Sequence, residues 1–127
     1  MKTTKTAKKI LIGEDEKPMA HALELKFNSS GFEAKAVNDG EAVLAELKNA
    51  KYDLVLLDLM MPKKDGFAVL SELKAAGNKV PVVVSSNLNQ QEDFKRAQEF
   101  GAVDYFVKSD TPINEVINKA KIILKIK

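Results

Sequence analysis

Five times along the 127-residue chain a short apolar run is followed by an amphipathic segment, and no other feature narrows the possible folds as much. The runs "KILIG" (9–13), "FEAKAV" (32–37), "DLVLL" (53–57), "VPVVVS" (80–85) and "AVDYFV" (102–107) read as strands. Helices are predicted between them, near 17–29, 39–49, 65–76 and 90–100, with a last one over 112–125. Pro18 suits a first helical turn, Gly31 a helix stop and Asp39 a cap for the second helix, while Thr111 before Pro112 is the expected cap of the fifth. The first, third and fourth strands are almost purely apolar, as strands covered by helices on both faces must be. The second alternates, with Glu33 and Lys35 turned outward, as suits a sheet edge. The expected fold is therefore α/β, a doubly wound five-stranded parallel sheet with five helices.

Composition removes several functions. There is no cysteine, so disulfides and thiolate metal sites are excluded, which suits a cytoplasmic protein. No apolar run is long enough to span a bilayer, and the start "MKTTKTAKK" lacks the apolar stretch of a signal peptide. Net charge is +2, but four lysines fall in the first nine residues, and residues 10–127 hold 16 basic against 18 acidic side chains. The body is mildly acidic and shows no basic stripe, so direct nucleic-acid binding is not expected. Residues 1–7 read as a basic flexible tail and 8–127 as one domain. The lysine-rich end "NKAKIILKIK" reads as a solvated helix flank.

In open parallel sheets, ligands sit beyond the carboxyl ends of the strands, where the winding reverses. With a sheet order of 2-1-3-4-5, that crevice lies between the ends of strands one and three. Five residues would line this rim: Glu14 and Asp15 after the first strand, Asp58 after the third, Ser86 after the fourth and Lys108 after the fifth. An acid closing a core strand needs a partner, because burying a lone carboxylate costs several kcal/mol. Two unit charges about 4 Å apart repel by about 4 kcal/mol at an effective dielectric of about 20, and one ammonium does not balance three carboxylates. A divalent cation does, and an all-oxygen donor set without His or Cys suits Mg²⁺. A hydroxyl and an ammonium across the pocket are what a transferred phosphoryl group requires. Asp58 is then the natural nucleophile.

This pattern resembles the receiver domain of two-component response regulators, from about Lys8 to Leu124. "ILIGEDEKP" is similar to that family's acidic pair, "LVLLDLMMPKKDGF" to its phosphoacceptor motif, "PVVVSSNL" to its Ser/Thr strand and "DYFVKSD" to its lysine strand. The phosphoacceptor motif, with Met61-Pro62 and Asp65-Gly66, is the specific one. The resemblance implies the flavodoxin-like order 2-1-3-4-5 and makes Asp58 the phosphoacceptor. It implies Mg²⁺ held by Asp15, Glu14, Asp58 and the Met60 backbone carbonyl. The phosphoryl group would be bound by Lys108, Ser86 and the Asn87 backbone, with Ser86 and Tyr105 as the switch pair. Met60 and Leu88 would flank it with apolar bulk and tune its hydrolysis. The implied partners are a histidine kinase or histidine phosphotransfer protein and, through the face of helix 4, strand 5 and helix 5, a downstream protein or a second copy. The domain would catalyse only its own phosphorylation and dephosphorylation.

Four positions depart from the family pattern. Glu14 replaces the commoner Asp, Gly13 stands where an aliphatic residue is usual and softens the strand end, Asn87 replaces Ala or Gly, and Ser109 replaces the Pro after Lys108. Other features read as structure. His21 is a surface imidazole, Phe94 and Phe100 are packing residues, and Ile113, Val116, Ile117, Ala120, Ile123 and Leu124 form a core stripe from which Ile122 falls away. Two other readings compete: a receiver-like binding module that works without phosphate, and a haloacid-dehalogenase-type phosphohydrolase. The second needs an acid two residues after the nucleophile, where this chain has Met60. No output segment follows within the 127 residues, which leaves a stand-alone receiver or a piece of a longer regulator.

Overall fold

The computed structural model of the chain describes residues 7–126, so most of the basic 1–7 segment lies outside the described residues. The apolar runs form β1 (Lys9–Gly13), β2 (Glu33–Val37), β3 (Leu54–Leu57), β4 (Val82–Ser86) and β5 (Asp104–Val107). The amphipathic segments form α1 (Lys17–Ser29), α2 (Gly40–Asn49), α3 (Gly66–Ala75), α4 (Gln91–Glu99) and α5 (Ile113–Leu124), with a 3-10 turn over Lys108–Asp110. Neighbouring strands are all parallel and run in the order β2-β1-β3-β4-β5. The expected fold class holds in full.

The period of two along the central strands divides the core. Leu11, Val55, Leu57 and Val84 face α2, α3 and α4, where they meet Val43, Val69, Leu70 and Ala97. Ile10, Ile12, Leu54, Leu56 and Val83 face α1 and α5, where they meet Leu23, Phe27, Val116, Ile117 and Ala120. The α5 stripe packs as its spacing predicts, and Ile122 is 73% exposed. On the edge strand β2, Glu33 and Lys35 are exposed.

Most boundaries follow their chemical signals. Asp39 Oδ1 accepts from the Ala42 N–H at 2.8 Å, Pro18 sits in the first turn of α1, and Gly31 takes the left-handed φ of 96° that ends that helix. One expectation needs correction. Thr111 does not cap α5: its hydroxyl donates to the Val107 carbonyl at 2.9 Å, and Pro112 occupies the cap position without a side-chain bond. The intervening 3-10 turn points Thr111 back at the strand it follows. Gly13 has a packing role at the end of β1. It is paired in register with Val37 and Leu57, and a Cβ there would lie 2.7 Å from Val43 Cγ2 and 3.3 Å from Leu57 Cδ1. The missing side chain makes room for these neighbours.

Candidate functional site

The strand register decides who meets at the rim. Gly13 pairs with Leu57, and the Asp58 N–H donates to the Gly13 carbonyl at 2.9 Å, so Glu14 and Asp58 emerge side by side. Both are buried, at 2% and 4% exposure, and Ser86 at the end of β4 is fully buried. Acids this deep are rare without partners. The partner is Lys108: its Nζ donates to Glu14 Oε1 and Oε2 at 2.8 and 3.0 Å and to Asp58 Oδ2 at 3.1 Å. Glu16 adds a third carboxylate at 3.9 Å from the same ammonium. Glu14 thus presents both of its oxygens to Lys108.

Asp58 Oδ1 also accepts the Met60 N–H at 3.1 Å. Burial pushes its carboxyl up to about 6, against the opposing pull of the Met60 N–H and the Lys108 charge, with Glu14 adding to the rise. Lys108 loses by burial but gains more from the Glu14 hydrogen bond and the Asp58 charge, and it lies above the usual lysine value. At neutral pH the pocket therefore holds an ionised Asp58 and a firmly charged ammonium.

One carboxylate oxygen each from Glu14, Asp15 and Asp58 lies within 4.8 Å of the others, with Asp15 the most open to solvent. The donor set is all oxygen, and the Lys108 ammonium sits on Glu14 and Asp58 rather than on Asp15. Acid in excess of base, with one open carboxylate, fits a hard divalent cation such as Mg²⁺.

The other rim residues form a second group. Ser86 Oγ accepts from the Leu88 N–H at 3.2 Å, and the Tyr105 hydroxyl donates to the Leu88 carbonyl at 2.7 Å. The Tyr105 ring stands edge-on to Phe94 at 4.7 Å, and burial raises its phenol against the pull of Ser86. Met60 is 61% exposed at the mouth, Leu88 is half-buried, and His21 lies on the outer face of α1. Phe94 and Phe100 pack against aromatic neighbours, as expected.

Sequence reasoning missed three supports. The Asn38 side chain donates to the Glu14 carbonyl at 3.0 Å, and the Glu16 N–H donates to Glu14 Oε2 at 3.1 Å. Gly40 lets the α2 N-terminus press on the loop after β3, where a Cβ would collide with the Lys64 carbonyl oxygen. Of residues 38–40 only the cap Asp39 was legible, because the contacts of Asn38 and Gly40 lie in loops that follow other strands.

A doubly wound parallel sheet with acids at the ends of β1 and β3 and a lysine at the end of β5 defines the receiver class of α/β domains. The chain belongs to the response regulator receiver domain family, whose model matches residues 10–120. It is 38% identical over 116 residues to the sensory transduction protein RegX3 of Mycobacterium tuberculosis, covering 91% of this chain and 50% of that protein. It is 33% identical over 118 residues to the alkaline phosphatase synthesis transcriptional regulatory protein PhoP of Bacillus subtilis, covering 93% and 49%. Among solved structures it resembles the receiver domain of the Francisella response regulator 1452, with a TM-score of 0.88, 30% identity, and 93% and 97% of the two chains covered. The chain spans about half the length of the curated relatives it matches.

Proposed function

We propose that Asp58 accepts a phosphoryl group from a histidine kinase or histidine phosphotransfer protein and that this switches a protein-binding face made by α4, β5 and α5. The observation that carries the reading is the single ammonium of Lys108 bridging two buried carboxylates, Glu14 and Asp58, at 2.8–3.1 Å. In the transfer, an Asp58 carboxylate oxygen forms a bond to phosphorus while the bond from phosphorus to the donor's imidazole nitrogen breaks. Lys108 turns from Asp58 to the phosphoryl oxygens and neutralises their charge. The Ser86 hydroxyl and the Asn87 backbone N–H supply hydrogen bonds on the other side. Mg²⁺, when held by Asp15, Glu14, Asp58 and the Met60 carbonyl, would supply charge neutralisation for the same oxygens.

The switch follows from Tyr105. When Ser86 is drawn to the phosphoryl group, the Leu88 N–H loses its acceptor, and the loop that Tyr105 holds through the Leu88 carbonyl shifts. The outcome is a change in the population of two surface states. The partner is a downstream protein or a second copy of the chain. Met60 and Leu88 crowd the attacking water, so a Met60→Asn, Leu88→Glu double variant should lose its phosphoryl group sooner than the parent; a longer lifetime in the double variant would count against this role.

In this reading residues 8–127 form one receiver domain, which promotes only its own phosphorylation and dephosphorylation. The chain works in the cytoplasm; among the described residues no helix is long and apolar enough to cross a membrane. The test is intact mass after incubation with acetyl phosphate and Mg²⁺, beside Asp58→Asn and EDTA controls. One phosphoryl adduct that requires both Asp58 and the metal is expected. An adduct that survives Asp58→Asn would overturn the assignment.

A further inference from the structure

Two of the positions that depart from the receiver pattern meet in space. The Ser109 N–H donates to Asn87 Oδ1 at 2.9 Å. Each follows directly on a residue that the phosphoryl reading uses, Ser86 at the end of β4 and Lys108 just past β5. The ladder between these strands ends with Ser86 opposite Val107, so the contact is one further rung, made by a side chain in place of backbone. Ser109 lies in the 3-10 turn of Lys108–Asp110, where the first N–H groups lack partners inside the turn. Asn87 caps that turn from a neighbouring loop. A proline at 109 has no N–H to donate, and alanine or glycine at 87 has no oxygen to accept. The two departures are thus two halves of one contact.

The loop between β4 and α4 is otherwise held by the Leu88 N–H on Ser86 and by Tyr105 on the Leu88 carbonyl. The second of these reaches β5 at Tyr105, three residues before Lys108, but neither reaches the 3-10 turn that follows. We infer that Asn87 is a positioning residue for phosphoryl transfer: its side chain ties the β4–α4 loop to the 3-10 turn, so that the Asn87 backbone N–H and the Lys108 ammonium keep a set separation before the phosphoryl group arrives. Donors aimed in advance need no rearrangement when charge develops on the transferred group. The inference rests on Asp58 being the phosphoacceptor.

The experiment compares the rate of Asp58 phosphorylation by acetyl phosphate with Mg²⁺ in four proteins: the parent, Asn87→Ala, Ser109→Pro and the double variant. Asn87→Ala should slow the parent about fivefold, the kinetic equivalent of one neutral hydrogen bond. In the Ser109→Pro background the same change should do nothing, since no N–H remains to be held. An equal effect in both backgrounds would mean that Asn87 acts by bulk at the mouth, and an unchanged or raised rate in Asn87→Ala would mean that it positions nothing; either sinks the inference. Amide exchange at Ser109 decides the matter if the proline variant does not fold: it should quicken about fivefold in Asn87→Ala, and unchanged exchange overturns the latch. A parent with no adduct would overturn the phosphoacceptor reading and this inference with it, whereas a phosphorylated parent with an indifferent Asn87→Ala would overturn the inference alone.

Discussion

Two regions of equal burial and opposite character lie within two residues of each other at the ends of β1 and β3. Ile12 and Leu57 are fully buried aliphatics near the ends of β1 and β3, while Glu14 and Asp58 just beyond them are 2% and 4% exposed and charged. The aliphatic layer is held by removing apolar surface from water. The acidic rim is held against its own desolvation by the Lys108 ammonium and by the Met60 and Glu16 N–H groups. Burial by itself therefore does not say whether a position stabilises the fold, and the comparison can be tested one layer at a time.

The largest effect should come from the apolar layer. Leu57→Ala removes a side chain wedged among Val43, Val55 and Leu11, and should cost about 2–5 kcal/mol in urea unfolding, a loss that is the same in EDTA and in Mg²⁺. A loss well below that range would mean that the layer collapses around the gap.

Next comes the rim's cation among the described residues, Lys108. Lys108→Met leaves Glu14 and Asp58 facing each other with no ammonium, and should cost about 3 kcal/mol at pH 7.5 in EDTA. Added Mg²⁺ should restore part of this, because a divalent cation answers the same charge. No recovery with the metal would separate Lys108 from the electrostatics of the pocket.

The opposite sign is expected at Asp58. Its folded pKa of about 6 lies above an unfolded value of about 3.9, so between these limits the folded state binds more protons than the unfolded one. Stability in EDTA therefore falls as pH rises from about 4 to about 6. Asp58→Asn removes that penalty and should stabilise by about 1–2 kcal/mol at pH 7.5, after allowance for solvent screening, with the gain vanishing near pH 4. A gain that did not change with pH would point to packing instead of charge.

The smallest effect should be at Thr111. Thr111→Ala loses one partly exposed bond to the Val107 carbonyl and should cost less than about 1 kcal/mol in thermal unfolding. A larger cost would restore a capping role that the geometry does not show.

Much of this contrast was legible in the chain. The five rim residues could be placed because each follows an apolar run, and in a parallel sheet all such ends point the same way. The supports of Glu14 were not legible. Asn38 lies 24 residues from Glu14, and Ser109 lies 22 from Asn87; no local pattern marks either pair. Thr111 was misassigned because a Ser/Thr before Pro and an apolar stripe reads as a cap whether or not a 3-10 turn intervenes.

The sequence by itself determined the parallel sheet, the two-sided burial of its central strands, and which acids and which lysine share a rim. These follow from local periodicity and from chain direction, which every segment carries on its own. The tertiary structure alone decided that Lys108 bridges Glu14 and Asp58, that Gly13 yields its space to Val43, and that Asn87 reaches Ser109. Each of those depends on register between strands distant in sequence, where a shift of one residue turns a side chain to the opposite face.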